Sequence, residues 1–209
     1  MPSGYSRNAV PSIRVSILTS DSAIQRSLRR LKPEKHLKRL KPRDRSALPF
    51  LVQMRRPFPK FLLDTTVYID ELQGRLPQDV EISLRLTELW HSTVTEAELI
   101  TLAGLLDSSH QNTRQAVRQV VVSIERRPPH RVLNPDREVW REAGILSGIL
   151  GRLQGYGKTE QRRMLNDALI YLSAAKHGCS VLTRNIGDFD LLMQIAPTGN
   201  AVFYDRSLI

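Results

Sequence analysis

The feature that most constrains the fold is a series of short apolar runs, each ending at a polar residue or turn, separated by segments with helical periodicity. Five runs are predicted to form strands: Phe61–Leu63, Ser92–Val94, Arg131–Leu133, Cys179–Thr183 and Val202–Tyr204. Their length suits buried strands, and the intervening segments are long enough for helices. Strands that alternate with helices predict an α/β fold, with a central, mainly parallel sheet covered by helices on both faces.

The helical segments differ in how clearly the sequence marks them. Residues 112–126, 134–153 and 160–177 have helical spacing, and Gly178 marks the end of the last one. Residues 79–89 fit either a helix or a strand, because their apolar residues also alternate. Thr95 is predicted to cap a helix, with Glu98 at the capping-box position.

Composition excludes several classes of protein. The chain has 209 residues and a single cysteine, Cys179, so an internal disulfide framework is excluded. No apolar run approaches the length of a membrane span. The N-terminus lacks the apolar core of a signal peptide. We therefore expect a soluble, cytoplasmic protein with no membrane partner.

The net charge of +10 is unevenly distributed. Residues 1–60 contain 15 Lys and Arg against 3 Asp and Glu, which leaves 16 and 18 in residues 61–209. The composition predicts a basic, mostly disordered extension over 1–60 and a folded domain over 61–209. A basic arm that contacts phosphates is an alternative for the extension. Met54 is another candidate translation start, which would leave residues 1–53 untranslated.

Carboxylates follow the predicted strands or lie on the helices next to them. Asp64 ends the first strand, Glu98 lies on the helix after the second, and Asp167 lies on the helix that leads into the fourth. Asn185 and Asp188 follow that fourth strand. Acids that converge at one edge of a sheet repel one another unless a cation neutralises them. Oxygen ligands favour a hard cation, Mg²⁺ or Mn²⁺.

The order and context of these acids resemble the PIN-domain ribonucleases, and among them the VapC toxins of bacterial toxin–antitoxin pairs. The resemblance rests on four motifs in order, which are FLLDTTVYID from Phe61, VTEAEL from Val94, NDALI from Asn166 with AAKHG from Ala174, and VLTRNIGDF from Val181. Together they span about residues 61–205.

The resemblance implies a three-layer α/β/α fold and metal-dependent cleavage of RNA. It implies that Asp64, Glu98 and Asp167 are catalytic metal ligands. For the fourth site residue we favour Asp188, with Asn185 as a supporting polar group. Asn185 as the fourth site residue is the alternative. Thr66 matches a small polar residue that helps to hold the acids.

Other polar residues have less specific interpretations. Arg184 is a candidate contact for an RNA phosphate, with a surface salt bridge as the alternative. We expect Asp70, Asp190 and Glu96 to be solvated. Gly157-Lys158-Thr159 is not a phosphate-binding loop, since Arg152 stands where that motif needs glycine.

The predicted function is a Mg²⁺- or Mn²⁺-dependent endoribonuclease, expected to pair with an antitoxin and to form a homodimer. One alternative is a non-catalytic PIN-like module that binds nucleic acid or a protein partner. Another is a DNA-binding protein that acts through residues 26–45. The number of metals and the RNA target stay open.

Overall fold

The computed structural model describes residues 22–105 and 111–206. Its described part contains a five-stranded sheet of parallel strands. The strands are β1 (Phe61–Leu63), β2 (Leu89–Ser92), β3 (Val132–Leu133), β4 (Ser180–Thr183) and β5 (Ala201–Phe203). Their order across the sheet is β3-β2-β1-β4-β5, and each neighbouring pair is parallel. The predicted α/β fold with a central parallel sheet is therefore confirmed.

Eight α-helices accompany the sheet in the described ranges. They are α1 (Ala23–Leu31), α2 (Thr65–Leu72), α3 (Gln78–Leu86), α4 (Thr93–Leu105), α5 (Gln111–Glu125), α6 (Arg137–Gln154), α7 (Lys158–Lys176) and α8 (Ile186–Ile195). No helix among them is long and apolar enough to cross a membrane.

The sheet separates two hydrophobic cores, because successive strand residues point to opposite faces. In β1, Leu62 joins the core built from α6, α7 and α8. Its neighbours Phe61 and Leu63 join the core built from α2, α3 and α5. Val181 and Leu182 of β4 divide in the same way. The three-layer arrangement thus follows from central strands whose apolar residues are buried on both faces of the sheet.

Two element boundaries differ from the sequence prediction. The second strand is β2, which ends at Ser92, and α4 already begins at Thr93. Thr95 is therefore inside the helix, and its hydroxyl donates to the Leu63 carbonyl oxygen at 3.4 Å instead of capping. The ambiguous segment 79–89 divides between α3 and the start of β2. The alternation of apolar residues did not distinguish a helix from a strand here, because α3 is amphipathic and short.

The segment after β4 is helical from Ile186, where α8 begins. Asn185 is the N-cap of this helix, and its side-chain oxygen accepts a hydrogen bond from the Asp188 backbone N–H at 3.3 Å. The cap places Asp188 in the first turn of the helix, at the edge where β4 ends.

Residues 22–60 pack against the domain instead of forming the solvated extension expected from composition. Helix α1 contacts α6 and buries Leu31, while Leu48 and Phe50 are buried in the same core. The Phe203 backbone N–H donates to the Pro49 carbonyl oxygen at 2.9 Å, which extends the sheet edge at β5. The prediction for residues 1–21 falls outside the described residues, and the division at residue 60 stays a prediction.

Candidate functional site

The four predicted acids come from four elements that meet at the carboxyl edge of the sheet. Asp64 ends β1 and caps α2, Glu98 lies in α4, Asp167 in α7, and Asp188 in the first turn of α8. Their proximity is evident at Asp167, whose pKa is raised well above its usual value. Burial is the main cause, and the charges of Asp64, Asp188 and Glu98 add to it. Parallel strand order brings together residues that are up to 124 positions apart in the sequence.

Asp64 is held by hydroxyl groups on both sides. Its Oδ2 accepts hydrogen bonds at 2.7 Å from the hydroxyls of Thr66 and Thr183. The side chain is only 3% exposed. Burial raises its pKa, and the threonine hydrogen bonds offset part of that rise because they favour the charged form.

Glu98 is oriented by two groups from different elements. Its Oε2 accepts from the Thr65 hydroxyl, and its Oε1 accepts from the Asn166 side-chain amide at 2.8 Å. Burial raises the pKa of Glu98, the two hydrogen bonds lower it, and the charge of Asp64 raises it. Glu96, two residues earlier, points away and forms an ion pair with Arg127 at 3.3 Å. Glu96 is thus ion-paired and not simply solvated, and Glu98 is the α4 acid that faces the site.

Asn185 bridges the remaining two acids. Its side-chain amide donates to Asp167 Oδ2 at 3.3 Å and to Asp188 Oδ2 at 3.0 Å. Tyr156, in the loop after α6, lies beside the same pair, because its hydroxyl interacts with Asp188 and its pKa is raised by burial and by the charges of both acids. Asn185 and Asp188 are therefore neighbours in one cluster, and the sequence-based choice between them does not need to exclude either.

Sequence reasoning did not assign roles to Thr65, Asn166, Thr183 and Tyr156. Asn166 and Thr183 each lie in motifs that carry the resemblance. The sequence therefore indicated that they are near the site, but it did not indicate which groups they hydrogen-bond. Tyr156 lies between Gly155 and Gly157, where composition indicates only a loop. Its place beside Asp188 depends on how α6 ends, at Gly155 with φ 70°.

The site acids differ from the other buried acids in their partners. Asp70 is fully buried and accepts hydrogen bonds from Arg184 at 2.7 Å and from Arg206 at 2.7 and 2.9 Å. Asp190 is fully buried and paired with Arg43. The expectation that Asp70 and Asp190 are solvated is therefore wrong, since long-range ion pairs bury both.

Arg184 is committed to Asp70, with its side chain one third exposed. This position matches the salt-bridge alternative considered for it, although the partner is a buried acid. Around the four site acids, by contrast, the side-chain donors are threonine hydroxyls and asparagine amides. The exposed Arg163 of α7 lowers the pKa of Asp167 and of Glu98 by its charge.

The donor set fits a hard divalent cation by its chemistry. Four carboxylates with neutral neighbours supply oxygen ligands and a negative field that a cation would relieve. In the described part of the chain, no group of three or more His, Cys, Asp or Glu side chains is already arranged around one metal position. The Asn185 amide donates to one oxygen, Oδ2, of each of Asp167 and Asp188.

An open cleft adjoins the acids. It has a volume of about 670 Å³ and runs from Thr65, Glu98 and Asn166 towards Arg162 and the half-exposed Trp140. The cleft therefore joins the Glu98 carboxylate to a basic and an aromatic side chain, the groups that contact phosphates and bases in single strands.

A comparison of the sequence with curated proteins found no match. Among solved structures, the chain is similar to VapBC2 from Rickettsia felis bound to a promoter DNA fragment, with 18% identity, 70% of this chain and 99% of that chain covered, and a TM-score of 0.49. It is similar to FitAcB from Neisseria gonorrhoeae, with 21% identity, coverage of 69% and 96%, and a TM-score of 0.49. DNA-bound VapBC from Salmonella typhimurium gives 22% identity, coverage of 69% and 97%, and the same TM-score.

The family comparison is more direct. The model of the PIN domain matches residues 61–190, which is more than half of the chain and includes all four site acids. The matched range begins at β1 and ends inside α8, so it covers the elements that build the carboxyl edge of the sheet. The chain belongs to the PIN-domain family.

Proposed function

We propose that the protein is a divalent-metal-dependent endoribonuclease and the toxin of a toxin–antitoxin pair. The observation that carries this proposal is the convergence of Asp64, Glu98, Asp167 and Asp188 at one sheet edge with neutral hydrogen-bond donors. Repulsion among these carboxylates lowers the stability of the fold, and a bound cation would relieve it. Acids retained in such an arrangement are typical of a functional site. PIN domains are generally nucleases and generally depend on divalent metals, which supports the proposal.

The chain's own residues would orient the ligands. Thr66 and Thr183 fix the Asp64 carboxylate, while Thr65 and Asn166 fix Glu98. Asn185 would position Asp167 and Asp188 through the hydrogen bonds from its amide to each of them. These hydrogen bonds limit the reorganisation needed when a charged substrate arrives.

A Mg²⁺ or Mn²⁺ ion held by these acids would make a coordinated water more acidic and neutralise charge on the phosphodiester. The cleft beside Glu98 would hold the RNA strand, with Arg162 near a phosphate. Tyr156 would hydrogen-bond at the Asp188 side of the site. The family resemblance implies products with a 5′-phosphate and a 3′-hydroxyl, formed by hydrolysis in the cytoplasm.

An antitoxin would need its own docking surface. A second cavity, of about 820 Å³, lies between α2, α3 and α5 and is lined by Tyr68, Leu72 and Arg127, among others. Arg127 is 6% exposed, and its Nε and Nη2 have no hydrogen-bond partner among the described residues. A peptide segment with apolar side chains would suit the apolar part of this lining, which supports a protein partner here.

A homodimer would cover exposed apolar side chains. Ile100, Leu102 and Leu105 of α4 are 44–78% exposed. Exposed apolar patches of this kind mark interaction surfaces. Light scattering of the purified chain, with Leu102→Glu as the interface variant, tests this part of the proposal.

Cleavage of single-stranded RNA tests the activity. The parent should cleave in Mg²⁺ and stop when EDTA is added, and Asp64→Asn should lose at least 100-fold in rate. Asp79→Asn is the matched control, because this acid lies in the exposed first turn of α3. If folded Asp64→Asn cleaves as fast as the parent, the proposed mechanism is excluded.

A second candidate is a PIN module that binds RNA or a partner without cleaving. The bridging amide of Asn185 favours it, because in this arrangement an amide fills the place between two acids. Calorimetric titration with Mn²⁺ separates the two functions. A nuclease should bind Mn²⁺ at a site that Asp167→Asn abolishes, and a non-catalytic module should show no such site.

A further inference from the structure

The segment from Lys32 to Arg45, here called the basic strap, is dense in positive charge. It contains seven Lys and Arg against Glu34 and Asp44. Arg43 and Arg45 are neutralised by Asp190 and Asp205. The other five cations have no ion-pair partner among the residues that the structure describes: Lys32, Lys35, Lys38, Arg39 and Lys41. All five are exposed.

The strap is fixed to the domain by contacts that leave its cations free. Arg43 donates from its backbone N–H and its Nε to the fully buried Asp190 at 2.8 and 2.5 Å. Gln194 of α8 donates to the Lys41 carbonyl oxygen at 3.1 Å, and Gln154 of α6 donates to the Leu40 carbonyl oxygen at 3.3 Å. The anchors are backbone groups and Arg43, so the lysine side chains are left in solvent.

The strap runs past the acidic site. The Arg39 Nε donates to the Gln154 side chain at 3.1 Å, two residues before Tyr156. Tyr156 in turn interacts with Asp188, and the charge of Arg39 acts on Tyr156. Arg39 thus lies at the rim of the site beside Tyr156, and Lys38 and Lys41 are its exposed neighbours on the strap.

We propose that Lys38, Arg39 and Lys41 form a phosphate-binding track that guides the backbone of a single-stranded RNA into the acidic site. The inference rests on the proposed function and adds the element that supplies substrate affinity. It concerns residues that lie before the PIN-domain match, which begins at residue 61.

The charge distribution of the domain explains why RNA binding would need a basic track. Residues 61–209 have 16 basic and 18 acidic side chains, and the acids concentrate at the site, so this part alone attracts phosphates weakly. Phosphate contacts by Lys and Arg release counterions and supply most of the non-specific affinity for a single strand. Cations that flank an acidic site can hold the phosphates on either side of the one that is cleaved.

Binding can be measured separately from cleavage. A fluorescein-labelled single-stranded RNA of about 15 nucleotides is titrated with the full chain in EDTA, and anisotropy gives the Kd at several salt concentrations. The test variant is K38Q/R39Q/K41Q, which keeps Arg43 and the backbone anchors. The matched control is R55Q/R56Q/R85Q, which removes the same charge from exposed positions away from the rim.

The rim variant should bind about tenfold more weakly or worse, and the slope of log K against log salt should fall by about 2, as expected for three lost single-strand contacts. The control should match the parent. The charge-preserving variant K38R/R39K/K41R should restore both values, which separates loss of charge from loss of structure. A single-stranded DNA of the same sequence should bind comparably, because the track contacts phosphates and not the sugar.

Equal affinity and slope for the parent and the rim variant overturn the proposal. So does an equal loss in rim and control variants, since bulk charge then explains binding, and so does a parent chain that binds no RNA. If the rim variant alone loses affinity while the parent never cleaves RNA in Mg²⁺, the track stands and the proposed nuclease function fails. If the parent cleaves RNA and the rim variant binds RNA normally, the proposed nuclease function stands and the track fails.

Discussion

Two groups of buried carboxylates lie within the same domain and are treated in opposite ways. Asp70 is surrounded by Arg184, Arg206 and the Tyr204 hydroxyl, so its charge is neutralised internally. Asp64 and Asp167 are also buried, at 3% and 8% exposed, and their hydrogen-bond donors are neutral. The ion cluster around Asp70 therefore stabilises the fold, whereas the acidic site stores repulsion that an external cation would relieve.

The ion cluster gives the largest expected effect on stability. Asp70→Asn should lower the free energy of unfolding by about 3–5 kcal/mol, because it leaves two arginines without their buried counter-charge. The expected value is at the lower end, since both arginine side chains are one third exposed. Urea denaturation measures it, with exposed Asp79→Asn expected to change stability by less than about 0.5 kcal/mol. A loss below about 1 kcal/mol for Asp70→Asn would remove the contrast drawn here.

This contrast was not available from the sequence. Asp70 lies on α2 among polar and apolar residues that fit a solvated helix face, and its partners are 114 and 136 positions away. Arg43 and Asp190 are 147 positions apart. No local pattern encodes such a pair, so composition alone assigned a buried acid to solvent and placed the basic strap in a disordered extension.

The sheet and the site acids were more accessible to sequence reasoning. Runs such as Phe61–Leu63 and Val181-Leu182 are apolar at successive positions because the strands are buried on both faces. Parallel order then requires the residues after them to share one edge, which is why Asp64 and Asn185 were expected to be close. Hydrogen-bond partners such as Thr183 and Asn166 depend on side-chain directions that periodicity does not give.

The acidic site should show its effect in the rate of cleavage. Asp167→Asn removes the most strongly perturbed carboxylate while keeping its shape, and cleavage should fall by at least about 100-fold, or about 2.7 kcal/mol in the activation barrier. Single-turnover cleavage of a labelled RNA measures this. The same variant should be no less stable than the parent in EDTA, unlike Asp70→Asn. A variant that loses activity and stability together would place Asp167 with the structural acids.

Metal binding should also distinguish the acidic site from the ion cluster around Asp70, through an effect on stability that is smaller than the effects above. Mg²⁺ at ten times its Kd should stabilise the parent by about 1.4 kcal/mol, because it binds the folded state alone. In Asp167→Asn the stabilisation should disappear. Differential scanning calorimetry with EDTA and with Mg²⁺ measures the shift, and Ca²⁺ serves as a second hard cation. Equal shifts in the parent and in Asp167→Asn would show that the ion binds elsewhere.

The smallest expected effect is a dependence of stability on pH that the site acids alone produce. Burial and neighbouring acids raise the pKa of Asp167 in the folded protein above its value in the unfolded chain. As pH falls, Asp167 is therefore protonated in the folded state before it is protonated in the unfolded chain. The destabilisation caused by its charged form is fully present above the folded-state pKa and is lost as pH approaches the ordinary carboxyl pKa of about 4. In EDTA, the stability of Asp167→Asn relative to the parent should be greatest near pH 8 and should shrink as pH falls towards 4.

Comparing the two proteins at each pH cancels other titrations. One is His91, whose burial and neighbours Arg127 and Arg131 lower its pKa to about 4, so that stability is lost as pH falls from 6.5. Urea denaturation at pH 8, 6.5 and 5 gives the difference directly. Because Asp167 and its neighbours share the same field, Asp64→Asn should flatten the same profile. A difference that is constant with pH would mean that Asp167 carries no stored repulsion, and the distinction between the acidic site and the ion cluster around Asp70 would then have to rest on activity alone.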